Sequence, residues 1–147
     1  MRLRIILAIT TRRALLSYRE RFKPTPMQPR PYAILATAAI AADSDAEAER
    51  TAASAQLHYV RRAQGEYLPL ESPEAAAAYP YTAVDRERMA RQRARLAIGS
   101  ARTVKDRLLA LAEATRADEL MITSMIYDHA ARRHSYELLA KAFALPR

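Results

Sequence analysis

Two stretches, residues 32–42 and 120–126, are apolar at nearly every consecutive position, with no polar face recurring along them. That pattern fits a strand covered on both sides, as in a parallel sheet. Alanine in the first stretch favours helix by propensity, so its flanks decide. Pro24, Pro26, Pro29 and Pro31 come before it, and a helix-start signature comes directly after. The signature is Ser44-Asp-Ala-Glu47, a capping box in which Ser44 bonds the Glu47 N–H and Glu47 reaches back. The helix it opens runs to about Gln64, with Ala48, Ala52, Ala55 and Tyr59 on one stripe and Gly65 placed to end it.

Elsewhere the period is mostly helical. Residues 12–22 predict an amphipathic helix, and residues 85–95 a charged helix whose arginines face solvent. Ile98-Gly99-Ser100 closes a short extended segment, and Ser100 caps a helix with Val104, Leu108 and Leu111 on its buried stripe. That helix stops near Thr115. After the second apolar run, Asp128 is placed to cap a last helix reaching about Phe143. Residues 65–84, interrupted by Pro69, Pro73 and Pro80, predict a long loop with room for one helical turn, the least ordered internal segment. Strands alternating with helices imply an α/β fold with a parallel sheet and right-handed crossovers.

Composition narrows the chemistry. With no cysteine among 147 residues, disulfides, thiolate zinc sites and Cys nucleophiles are excluded. Two glycines cannot write a Gly-rich phosphate loop. The longest apolar run, residues 33–42, is ten residues and contains Thr37, against the roughly 18–20 a membrane span needs. Net charge is +8, but residues 1–30 hold eight basic groups against one acidic, and the other 117 hold sixteen against fifteen. Nucleic-acid binding usually spreads its basic groups over a folded face, so it is not expected here. The apolar core of the basic start, residues 5–9, is short for a secretory signal, and a cytoplasmic protein is expected. No two of His58, His129 and His134 have the i, i+4 spacing of a helical metal pair, so no metal is expected.

Three runs carry a family resemblance: residues 98–108 (IGSARTVKDRL), 117–123 (ADELMIT) and 126–129 (IYDH). With residues 18–22 (YRERF), Pro31-Tyr32 and residues 41–47 (AADSDAE), their order and spacing resemble the C-terminal end of luciferase-like flavin-dependent monooxygenases. The resemblance covers residues 15–147, leaving 1–14 as an unmatched basic extension. It implies part of a (β/α)8 barrel, about the last three βα units, where a whole barrel takes about 250 residues. It further implies reduced flavin mononucleotide (FMN) as cofactor, with dioxygen and an organic small molecule as substrates. A piece of this kind is expected to be a truncated, split or degraded product, inactive alone and completed by a homodimer or by the missing barrel half. The alternative is a small basic binding protein without catalysis.

Barrel sites lie at the C-terminal ends of the strands. On that ground Tyr127 and His129 are catalytic candidates, and Thr123, Ser124 and Ser100 candidates for holding the cofactor. For Tyr127 and His129 a core and a solvent-facing role stay open beside the catalytic one. Asp128 reads as the helix cap.

Overall fold

The computed structural model describes residues 5–8 and 12–145. Its elements are β1 (Ile5–Ala8), α1 (Arg12–Arg21), β2 (Ala33–Ala42), α2 (Asp45–Ala63), α3 (Pro73–Ala78), α4 (Ala83–Arg93), β3 (Ala97–Ser100), α5 (Ala101–Thr115), β4 (Glu119–Thr123) and α6 (His129–Ala142). Both apolar runs are strands, and β4 pairs with β2. The expected α/β class is therefore observed. β2 is parallel to β1, Ile5 opposite Ala33, and parallel to β3, Ala39 opposite Ala97. The N-terminal extension thus contains a strand that the sequence reading did not assign.

The chain divides into two compact units. The first holds the described residues up to Thr37 together with Asp106–Thr123. Here Leu15 on α1 is buried with Ala33 and Leu35 of β2, and Tyr18, Leu111, Ala117 and Leu120 pack around them. Asp118 ties the unit together. Its carboxylate accepts the Ala33 N–H at 2.7 Å and pairs with Arg19, while its own N–H donates to the Ala33 carbonyl at 3.0 Å. Arg12 adds a bond from Nε to the Ala114 carbonyl at 3.0 Å, near the negative end of α5.

The second unit holds Ala38–Lys105 and the described residues from Ser124 onward. Its core joins Ile40 and Ala42 of β2, Ala48, Ala52 and Ala55 of α2, Ile98 of β3 and Ile126. Alanine on the α2 stripe lets helix and strand approach closely, so small side chains are as completely buried here as large ones. Ser44 caps α2 by accepting the Glu47 N–H at 3.2 Å, its half of the expected box.

Two expectations are corrected. Residues 120–126 do not form one covered strand. β4 ends at Thr123, and its residues alternate between exposed and half-buried, with Met121 41% exposed. A continuous apolar run states what a segment can bury, and here its neighbours cover one side only. The segment 65–84 is also more structured than a loop. Ser72 accepts the Ala75 N–H, Pro73 starts α3, and Ala76 is fully buried. Proline at the first helical position costs no hydrogen bond and pre-sets φ, so this proline starts a helix where the sequence reading took it as a breaker. α4 likewise begins two residues earlier than expected, at Ala83, behind a complete capping box between Thr82 and Asp85.

Candidate functional site

At the C-terminal end of β2, the chain turns through Asp43 and Ser44 into α2. β3 ends beside it at Gly99 and Ser100, paired with Ala41 and Ala42, and Asp45 adds a side-chain bond. Asp45 Oδ1 accepts the Ser100 N–H at 2.5 Å. That backbone bond, and then the Thr103 side chain, hold the Asp45 carboxyl below its ordinary range. Ser100 Oγ lies 3.0 Å from Thr103 Oγ1 and accepts the Thr103 N–H at 3.4 Å, which is the expected capping role. Gly99 makes the approach possible. Its φ is +153°, and a Cβ there would lie 2.6 Å from Asp45 Oδ1 and 2.7 Å from Thr103 Cγ2.

A second group of bonds fixes the segment after β4. Ser124 Oγ donates to the Ala39 carbonyl at 2.7 Å, and the Ser124 N–H donates to Tyr136 Oη at 2.9 Å. Fully buried Ser135 accepts the Ala41 N–H at 2.9 Å. Two serine hydroxyls therefore bond backbone groups of β2, one at Ala39 and one at Ala41. Ile126 is drawn into the core, while Met125 and Tyr127 on either side of it stay about half exposed.

The remaining candidate residues differ in their surroundings. Tyr127 is 54% exposed, so the core role is excluded. His129 is exposed at the start of α6, its Nδ1 3.0 Å from an Arg132 nitrogen. Asp128 Oδ1 accepts the Ala131 N–H at 2.7 Å and is the cap of α6. Thr123 is exposed at the last position of β4. Sequence reasoning did not give the tertiary partners of Asp43, Asp45, His134 and Tyr136. His134 Nε2 sits 3.0 Å from Asp43 Oδ1, a contact between residues 91 apart that no local motif announces.

Do these groups fit the phosphate of a flavin nucleotide? Anion sites need convergent uncommitted donors. Ser100 and Ser124 have both hydroxyl and N–H engaged within the protein. The charged group bonded to Ser100, Asp45, is a carboxylate. Ser100 and Ser124 do not by themselves form a phosphate cradle. Among them no group of three or more His, Cys, Asp or Glu side chains could hold a metal ion, and no helix is long and apolar enough to cross a membrane.

No protein-family model matches the chain. It is 38% identical over 126 residues to YceB, an uncharacterized protein of Bacillus subtilis (strain 168), a stretch that is 86% of this chain and 38% of that protein. It is 33% identical over 125 residues to a luciferase-like monooxygenase of Escherichia coli (strain K12), covering 85% of this chain and 37% of that protein. In the crystal structure of apo-MsnO8, 42% of the chain superposes on 92% of this one with a TM-score of 0.81 and 37% identity. The chain thus spans well under half the length of these relatives. Over most of its own length it is similar, in sequence, to a luciferase-like monooxygenase, and in α/β fold to MsnO8.

Proposed function

We propose that the chain serves in a luciferase-like, flavin-dependent monooxygenase reaction, in which one atom of dioxygen enters an organic small molecule. In this reading it supplies the last part of a (β/α)8 barrel and is inactive alone. The supporting observation is the similarity to the Escherichia coli luciferase-like monooxygenase across 85% of this chain. In this reading Tyr127 and His129, which are exposed after β4, line the site. Phosphate recognition falls to elements outside those described, because Ser100 and Ser124 are committed to the fold.

The test is dioxygen consumption with reduced FMN and a panel of aldehydes, alkanes and aromatic compounds. The chain alone should consume none above the flavin's own autoxidation. Mixed with a polypeptide carrying the part of YceB that it does not match, it should give substrate-dependent consumption. Absence of consumption in the mixture, with assembly demonstrated, would favour the basic, non-catalytic binding protein instead.

A further inference from the structure

The excess positive charge of the chain has a defined place in the first unit. Residues 12–30 hold Arg12, Arg13, Arg19, Arg21, Lys23 and Arg30 against Glu20. Of these basic groups only Arg19 has an ion-pair partner among the described residues, Asp118. The other arginine-rich helix, α4, differs, because Arg88, Arg91 and Arg93 pair with Asp85, Glu87 and Glu49. No acidic residue occupies the first turn of α1, so the positive end of the helix and two arginines stand together. Leu15 fixes α1 on its core, which puts these charges on a folded surface and not on a loose arm. That surface is concave. Three grooves of about 460, 470 and 500 Å³ flank α1. The first two share Arg12 and Leu16, and the last two share Ser17 and Arg21, so they run on from one another along the helix.

We propose that the groove along α1 is a docking surface for an acidic, extended segment of a separate protein, with carboxylates on either side of a leucine-sized apolar residue. Charge complementarity selects this occupant. Half-buried Leu16 lies among exposed Arg12, Arg13 and Arg21. Arginine forks take carboxylates bidentately, and Leu16 offers an apolar contact between them. Glu20 and Glu113 also line the grooves, and the basic groups outnumber them. The ten residues of α1 make about 15 Å of helix, which an extended segment of about five residues spans. A bilayer is a poorer occupant, because Leu15 is buried and no large apolar side chain of α1 is exposed. Single-stranded nucleic acid needs free aromatic faces, whereas Tyr18 stands edge-on to Phe22 at 5.7 Å and its hydroxyl accepts from Gln28 at 3.3 Å. A duplex would use the charge alone and leave Leu16 without an apolar contact. The docking surface does not depend on the flavin reaction.

The experiment titrates the full chain with a short, end-capped peptide of alternating glutamate and leucine, read by fluorescence anisotropy at low salt. Saturable one-to-one binding is expected, weakening by about tenfold or more at several hundred millimolar salt. The same peptide with glutamine for glutamate should not bind, and the one with serine for leucine should bind about threefold or more weakly. Arg13→Glu combined with Arg21→Glu, both at exposed positions, should weaken binding by about tenfold or more. Arg86→Glu combined with Arg95→Glu makes the same charge change at two exposed positions elsewhere and should alter it by no more than about twofold. Arg13→Gln with Arg21→Gln should fall between the wild type and the double reversal. Phosphatidylserine vesicles and a DNA duplex are the competing probes. No saturable binding, equal effects of the two charge reversals, or indifference to the glutamine peptide would each overturn the proposal. Tighter binding of vesicles or duplex than of the peptide, lost in the Arg13 and Arg21 reversal, would overturn it in favour of a membrane or a nucleic acid.

Discussion

Gly99 shows how one position can fix a junction. Its positive φ and the 2.6 Å separation awaiting any Cβ leave no room for a larger residue unless Asp45 or Thr103 moves. Gly99→Ala should lower unfolding stability by about 1–3 kcal/mol, combining backbone strain with overpacking, and urea midpoints would measure it. Asp45 makes a pH-dependent contribution at the same place. Its folded carboxyl titrates below its ordinary value, chiefly because of the Ser100 N–H. A depressed carboxylate stabilises the fold above its unfolded pKa, and that stability is lost as pH falls through the folded one. Wild-type stability should therefore drop below about pH 4, and Asp45→Asn should show a shallower drop over the same window. An identical slope in both would remove Asp45 from the account. Ser100 as a cap was legible because its partner Thr103 is three residues away. Asp45 was not, because it lies 55 residues from Ser100 and only folding brings them together.

At the level of elements, the caps carried most of what the sequence could tell. Ser44, Ser100 and Asp128 each sit where a helix begins and accept an N–H three residues on. Asp128→Ala should cost about 1 kcal/mol in thermal or urea unfolding, the usual value of an N-cap. No loss at all would contradict its role as the cap. Two starts were missed although their signals were present. Ser72-Pro73-Glu74 is a cap followed by an N1 proline and an acidic first turn, and Thr82 with Asp85 is a capping box. Proline density and an alanine run obscured the first. β4 failed for another reason. Its residues say how much apolar surface it can bury, and no property of the segment says which neighbour will cover it. The exposed Tyr127 follows the same rule, since an aromatic after a strand suits core and cleft equally by sequence.

For the whole molecule, the α/β class was legible from two apolar runs with capped helices behind them, and the family resemblance from motif order. The site was much less so. Serines placed by the chain order at strand ends turned out to hold Ala39 and Thr103 in place, and the Asp45 carboxylate stands beside Ser100. Over most of its length the chain is similar to a luciferase-like monooxygenase, and Ser100 and Ser124 are engaged in its own fold. Calorimetric titration of the purified chain alone with FMN at low salt tests this most directly. The account predicts no saturable binding in the micromolar range, because a flavin needs convergent anion donors and a concave pocket closed on most sides. Saturable one-to-one binding at micromolar concentration or tighter would contradict it and show that this chain holds the cofactor unaided.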